Sequence, residues 1–127
     1  MSDSIFTKII RGEIPCHKIY EDDKTFVFLD INPVLPGHTL VIPKEPVEFV
    51  WDLPDETYQH VMATSKKVAL RLRQVMGSKY VSARIVGVHV PHAHVQLIPF
   101  NDAKDLARQE TAAVDTDLAA LAKKLAF

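Results

Sequence analysis

The stretch that decides the fold of this chain is Pro91-His92-Ala93-His94-Val95-Gln96-Leu97-Ile98-Pro99. Its polar and apolar residues alternate with a period of two, which is the side-chain period of a β-strand. The alternation predicts a strand over residues 92–99. One face of that strand would carry His92, His94 and Gln96 at spacings of about 6.5 Å, and the other face would be apolar. Three polar groups in such a row can surround one small anion.

The chemistry of this polar face favours catalysis on phosphorus or carbonyl centres. The chain holds six histidines, and three of them lie between residues 89 and 94. Imidazole titrates near neutrality and is a competent nucleophile, whereas Gln96 exchanges hydrogen bonds but takes up no proton. His89 has the opposite parity and precedes Pro91, so we expect it to lie outside the site.

Two other interpretations fit the same spacing. A polar sheet face exposed to solvent can hold His-x-His by chance. Alternatively, His92 and His94 can chelate a metal ion, with His38 or Asp30 as more distant ligands. No second cluster of ligand residues supports the metal site, and the spacing alone leaves the three interpretations open.

The rest of the sequence predicts an α+β domain. Helical spacing predicts a short helix that ends at Gly12, a long helix that Asp52 caps and Gly77 stops, and a second short helix over residues 118–125. β-rich segments predict strands over residues 18–20, 25–29, 38–43, 79–87 and 92–99. Several short strands around one long helix indicate an antiparallel sheet that is covered on one face.

The composition excludes several classes of protein. A chain of 127 residues, 47% of them hydrophobic, is long enough for one domain with a sizeable core. The formal net charge of −1 argues against a protein that coats nucleic acid. The single cysteine, Cys16, excludes an intrachain disulfide and an all-cysteine zinc site. The N-terminus lacks a signal-peptide pattern and no apolar run reaches about 20 residues, so we expect a cytoplasmic protein with no membrane partner.

Four blocks of the sequence, in the same order, resemble the histidine triad (HIT) family. The family signature His-φ-His-φ-His-φ-φ, in which φ is apolar, stands here as His92-Ala-His94-Val-Gln96-Leu-Ile. The other blocks are residues 5–15, residues 28–44 with a gap at 34–35, and residues 53–56. The resemblance implies a HIT fold with a five-stranded antiparallel sheet, one long helix, shorter flanking helices and a homodimer that joins two sheets. It further implies one domain over residues 1–127, with its core at about 5–100 and a tail from 101 to 127.

The resemblance also implies a purine nucleotide hydrolase or nucleotidyltransferase. His94 would attack the α-phosphorus of a nucleoside phosphoramidate, ester or dinucleoside polyphosphate, and a covalent nucleotidyl-histidine would pass the nucleotide to water or to another acceptor. His92 would orient His94 and the phosphate, and Gln96 would bind phosphoryl oxygens. The residues implied to bind the nucleotide are Phe6, Ile9, Phe28 and Ile31 at the base, Asp30 at the ribose, His38 near the phosphate, and the backbone N–H groups of Gly87 and Val88 at the phosphate oxygens.

Two departures from the family pattern bear on these expectations. Gln96 in place of the third histidine is typical of the nucleotidyltransferase branch, whereas the rest of the chain is similar to the small Hint-like hydrolases. Hydrolysis is therefore favoured over transfer, and the alternative is a nucleotide-binding regulatory module with little turnover. Many bacterial members bind a structural zinc through Cys-x-x-Cys, but Ser4 and Thr7 stand in those places and Pro46 replaces a common ligand histidine. We expect no structural zinc and no required cofactor, although a divalent ion on the substrate phosphates is compatible with the mechanism.

Overall fold

The computed structural model describes residues 3–107 and 117–127. In this part of the chain, five antiparallel strands form one sheet with the order β1-β2-β3-β5-β4. The strands are β1 (Lys18–Glu21), β2 (Thr25–Leu29), β3 (Thr39–Pro43), β4 (Tyr80–Arg84) and β5 (Val95–Phe100). The helices are α1 (Ile5–Ile10), α2 (Asp55–Met76) and α3 (Leu118–Leu125), with short 3₁₀ turns at Val50–Asp52 and Ala103–Ala107. The expected α+β fold class is confirmed.

The long helix α2 covers one face of the sheet, as the sequence predicts. Its buried residues Val61, Val68 and Leu72 share one apolar cluster with Val41 of β3 and Val95 of β5, which we call the α2-side cluster. The opposite face is partly covered as well, because a second cluster, the α1-side cluster, joins Phe6 and Ile9 of the short helix α1 to the central strands β2 and β3. Every residue of these two central strands is therefore buried.

The start of α2 differs from the prediction. Asp52 lies in the preceding 3₁₀ turn, and the helix begins after Pro54, whose side chain makes no capping hydrogen bond. The reason is local, since Leu53 precedes a proline and therefore adopts an extended backbone that interrupts the helical path. The predicted stop at Gly77 is confirmed: its φ of 66° is left-handed, and its N–H donates to the Arg73 carbonyl.

The strands β4 and β5, which flank the histidine motif, are shorter than predicted. β4 spans residues 80–84 instead of 79–87, and β5 spans residues 95–100 instead of 92–99. The prediction of a strand over 92–99 is wrong at its start, because β5 begins at Val95, the last residue that pairs with β3. Before it, the Ala93 N–H donates to the Val47 carbonyl outside the sheet. The side chains nevertheless keep alternating, since Ala93 is buried in the α2-side cluster. The polar residues His94 and Gln96 lie on the other side, where they line a cavity.

The described end of the chain, residues 117–127, packs on the same face of the sheet as α2. Leu125 of α3 is buried in the α2-side cluster, and the Arg71 guanidinium on α2 donates to the carbonyls of Lys124 and Leu125. The Phe127 ring stacks on Tyr20 of β1 at a centroid distance of 4.7 Å. This part of the tail therefore lies away from the histidines.

In the two described ranges, the helices are too short or too polar to cross a membrane.

Candidate functional site

A cavity of about 280 Å³ opens on the face of the sheet opposite α2. Its wall is formed by α1, by the ends of the central strands and by residues 89–96. It brings together seven of the residues that the sequence singles out, namely Phe6, Ile9, Phe28, Asp30, Ile31, His94 and Gln96. Apolar walls with a few polar groups are the usual composition of a small-molecule site.

His94 lines this cavity, and one of its ring nitrogens is hydrogen-bonded within the protein. Its Nδ1 lies 2.7 Å from the carbonyl oxygen of His92. Because a carbonyl only accepts hydrogen bonds, Nδ1 is assigned the proton, and the neutral ring keeps its lone pair on Nε2. The Phe6 ring packs edge-on against the imidazole at 5.1 Å and restricts its orientation. The unprotonated Nε2 is the nitrogen that a nucleophilic attack requires.

His92 lies behind the cavity wall and is 1% exposed. Its Nε2 donates to the Pro43 carbonyl at 2.8 Å, so its Nδ1 accepts from the hydroxyls of Ser4 and Thr7, each 3.3 Å away. Burial lowers the pKa of His92 and the nearby His94 adds to that effect, against the opposing hydrogen bond to Pro43. A neutral His92 can orient His94 through its carbonyl. Both ring nitrogens are used inside the protein, so any effect of His92 on the phosphate would pass through His94, and that role stays a prediction.

Gln96 is held by His38, which is also 1% exposed. The Val34 N–H donates to Nδ1 of His38, so the neutral ring donates from Nε2 to Gln96 Oε1 at 3.0 Å. With its carbonyl oxygen bonded in this way, Gln96 is left with its amide N–H groups to offer a ligand. His38 itself lies outside the cavity lining, so its expected place near the phosphate would be realised through Gln96, and its part in nucleotide binding stays a prediction.

Asp30 and Ile31 follow β2 at the mouth of the cavity. The Asp30 side chain is 15% exposed, accepts the Asn32 N–H at 2.8 Å and has an oxygen 3.6 Å from Nε2 of His38. A carboxylate oriented in this way can accept hydrogen bonds from vicinal hydroxyls. Ile31 is 61% exposed at the rim. Deeper in the cavity, the rings of Phe6 and Phe28 meet edge to face at 5.5 Å.

The segment before the histidine motif differs from the prediction. Gly87 lies beside His94 in a separate small hollow of about 40 Å³, and Val88 is 75% exposed and outside both cavities. His89, which we expected outside the site, lines the main cavity. The parity rule fails because residues 85–94 form no regular strand. The flanking Gly87, with its φ of +74°, and Pro91 are the turn signals that could have revealed this.

The places of the expected zinc ligands hold a hydrogen-bonded cluster. The hydroxyl oxygens of Ser4 and Thr7 lie 3.2 Å apart, and both reach Nδ1 of His92. Structural zinc sites use thiolate, imidazole and carboxylate ligands, so this donor set does not fit zinc. The interpretation of His92 and His94 as a chelating pair also fails, because three of their four ring nitrogens have protein partners.

A second group of potential metal ligands lies elsewhere in the described ranges and comprises Asp22, Asp23 and His60. Burial alone would raise the pKa of Asp22, but hydrogen bonds from two backbone N–H groups, the Thr25 hydroxyl and the His60 ring hold it well below its usual range. The carboxylate is therefore used inside the protein to fix the turn between β1 and β2.

Comparisons with known proteins show what this chain is similar to. A family model described as "HIT domain" matches residues 11–103. An uncharacterized HIT-like protein of Borreliella burgdorferi is 42% identical over 106 residues, which are 78% of this chain and 76% of that protein. Adenosine 5'-monophosphoramidase HNT1 of Saccharomyces cerevisiae is 35% identical over 120 residues, or 94% of this chain and 76% of that protein. The crystal structure of a Hit-like protein from Bartonella henselae superimposes with a TM-score of 0.85 at 32% identity and covers 98% of this chain and 97% of that chain.

Proposed function

Because the chain belongs to the histidine triad (HIT) family, we propose that it is a nucleotide hydrolase that acts through a covalent intermediate on His94. The observation that carries the proposal is the hydrogen bond from Nδ1 of His94 to the His92 carbonyl. In the neutral ring, this bond assigns the proton to Nδ1 and leaves the lone pair on Nε2, beside a cavity that also holds an amide donor and a carboxylate. The yeast relative named as an adenosine monophosphoramidase supports the hydrolase class.

The reaction proceeds in two displacements. Nε2 of His94 attacks the α-phosphorus, the bond from phosphorus to the leaving group breaks, and the nucleotide is held on the imidazole. The His92 carbonyl, which accepts from Nδ1, stabilises the positive charge that the substituted ring acquires. Gln96 donates its amide N–H groups to phosphoryl oxygens. Water then attacks the same phosphorus and releases the nucleoside monophosphate and free His94.

The substrate is a purine nucleoside 5'-phosphoramidate or a related ester or anhydride. The rings of Phe6 and Phe28 and the side chains of Ile9 and Ile31 provide the apolar surface for the base. Asp30 at the mouth of the cavity accepts hydrogen bonds from the ribose hydroxyls. The alternative is a regulatory module that binds a nucleotide with little turnover, and its support is that Gln96 stands in place of a possible proton donor.

A trapping experiment tests the proposal. The protein is incubated with adenosine 5'-monophosphoramidate and with a dinucleoside polyphosphate, quenched, and analysed by intact-protein mass spectrometry. We expect an adenylylated protein and turnover, both lost in His94→Ala and both kept in the presence of a chelator. Tight binding without turnover on either substrate would support the regulatory module instead. Activity that a chelator removes and a metal restores would contradict the histidine mechanism.

The proposal includes no cofactor and no structural zinc. Its support is the Ser4 and Thr7 donor set at the ring of His92, which fills the expected zinc position with hydrogen bonds. A divalent ion bound to the substrate phosphates remains compatible with it. Elemental analysis of the purified protein should find less than one zinc in ten chains, and stoichiometric zinc that resists dialysis would contradict this part.

We further propose a homodimer formed along strand β4. This strand lies at one edge of the sheet, and an unpaired edge is a template for another strand. Exposed apolar side chains at Tyr80 of β4 and Leu70 of α2 lie on this side of the molecule and support an interface. Sedimentation equilibrium should give twice the monomer mass of 14.3 kDa. A monomer at micromolar concentration would contradict the dimer.

A further inference from the structure

The proposed first displacement needs a proton donor that Gln96 cannot provide. When Nε2 of His94 attacks, the leaving group departs with the electron pair of its bond to phosphorus. An amine or an alcohol leaves readily only if a proton arrives in the same step. A glutamine amide does not supply that proton, and the Gln96 carbonyl oxygen already accepts a hydrogen bond from His38.

The cavity lining contains four titratable side chains, at Cys16, Asp30, His89 and His94. His94 is the nucleophile. Burial raises the pKa of the Cys16 thiol, which makes the thiol a poorer acid. The Asp30 carboxylate accepts the Asn32 N–H and lies close to the His38 ring, so it acts as an acceptor. By elimination among the lining residues, His89 is the group suited to deliver a proton.

The position of His89 fits this role. Its side chain is exposed and also lines the cavity, so it reaches both a bound ligand and the solvent that restores its proton. On one side of His89, Gly87 and Phe49 line the same small hollow. On the other, Val90 packs on the α1-side cluster, and its carbonyl accepts the His92 N–H at 2.8 Å. Within residues 3–107 and 117–127, the His89 ring forms no hydrogen bond or ion pair, so it is available to a ligand.

We propose that His89 is the general acid of the reaction, an inference that rests on the proposed function. As the N–P bond to His94 forms and the bond from phosphorus to the leaving group breaks, protonated His89 gives its proton to the departing nitrogen or oxygen. His89 is then neutral. When water attacks the nucleotidyl-His94, His89 accepts the proton that the water loses, which returns both histidines to their starting states.

Leaving groups of different basicity test this assignment. One substrate is an adenosine 5'-phosphoramidate of an alkylamine, which needs a proton to leave. The other is adenosine 5'-(p-nitrophenyl phosphate), whose leaving group departs as a stable anion. For His89→Ala we expect kcat/KM on the alkylamine substrate to fall about 100-fold or more, in the range of general acid catalysis. The pre-steady-state burst of p-nitrophenolate, which reports the first displacement alone, should change by less than about threefold, because a stable anion gains little from a general acid.

Two further variants complete the test. His89→Gln keeps a hydrogen-bonding side chain without a titrating proton and should behave as His89→Ala does. His17→Ala, which removes a histidine outside the cavity lining, should leave both rates unchanged. If His89→Ala lowers kcat/KM on the alkylamine substrate and the p-nitrophenolate burst by the same factor, or lowers neither, the assignment of His89 is overturned. The proposed function still stands in that case if the wild type shows the burst. A wild-type protein that releases no p-nitrophenolate and forms no adenylylated protein would overturn both.

Discussion

Replacing Gly37 by alanine tests the packing that carries the site. Gly37 lies in the turn before β3, directly ahead of His38, and has a φ of +91°. A Cβ atom at this position would lie 2.8 Å from Cγ of Pro99 on β5 and 3.3 Å from Cε of Met76 at the end of α2. The proline ring is rigid, so the backbone of the turn has to move, and it carries His38 with it.

The expected loss of stability has two parts. A left-handed backbone conformation costs a residue with a Cβ atom about 1–2 kcal/mol. Forcing an extra methyl group into a packed site costs about 1–3 kcal/mol. Reduced entropy of the unfolded chain offsets about 0.4–1 kcal/mol. The Gly37→Ala variant should therefore lose about 1–4.5 kcal/mol, with a central value of about 3 kcal/mol, out of the roughly 5–15 kcal/mol that stabilises a typical domain.

The Gly77→Ala variant is the matched control. Gly77 also has a positive φ, of 66°, but a Cβ atom there would meet no other atom within 4 Å. This variant carries the backbone strain alone and should lose only about 1 kcal/mol. Urea unfolding of both variants, followed by circular dichroism at one protein concentration, measures the difference between them. Equal losses, within about 0.5 kcal/mol, would refute the steric part of this reasoning.

Three other perturbations have distinct expected outcomes. Removing the hydroxyls of Ser4 and Thr7 together leaves the buried Nδ1 of His92 without a partner and should lower the free energy of unfolding by about 1–3 kcal/mol, more than the sum of the single alanine variants; strictly additive losses in urea unfolding would contradict this. Asp30→Asn should lower kcat/KM about ten- to 100-fold on a ribonucleotide and little on its 2',3'-dideoxy analogue, and equal losses on both would exclude a ribose contact. Because hydrogen bonds hold the pKa of Asp22 below its usual range, that carboxylate contributes stability above about pH 4 and loses its contribution as the pH falls towards the lowered pKa. The stability gap between the wild type and Asp22→Asn should therefore narrow on acidification in pH-dependent unfolding, and a constant gap from pH 7 to about pH 2 would be inconsistent with the linkage.

Local patterns in the sequence predicted most of the fold. The strand over 25–29 and the helix over 118–125 have the bounds that their periodicity predicts. Such patterns are sufficient because an element buries one face, and the period of its apolar residues records which face that is. Alternation also predicted correctly that the side chains of Ala93 and His94 lie on opposite sides of the sheet, although neither residue belongs to a regular strand.

Two of the errors, at residues 92–94 and at His89, share one physical origin, which is that a strand needs a partner. Residues 92–94 alternate as a strand does, but β3 offers them no pairing, so the ladder begins only at Val95. For the same reason, parity carried no information about His89, which reaches the cavity from an irregular segment. The prediction that Asp52 caps α2 is wrong for a different reason. Leu53 precedes a proline, so its backbone is extended and separates Asp52 from the helix.

The sequence by itself determined the elements, the fold family and the polar side of the motif, because these depend on residue type and spacing along the chain. Only the tertiary structure decided what each polar residue does. His38 meets Gln96 from 58 residues away, and Ser4 meets His92 from 88 residues away. Those long-range hydrogen bonds select which ring nitrogens carry protons and which groups of Gln96 remain for a ligand. A contact of that range arises from the folding of the whole sheet, and no local pattern encodes it.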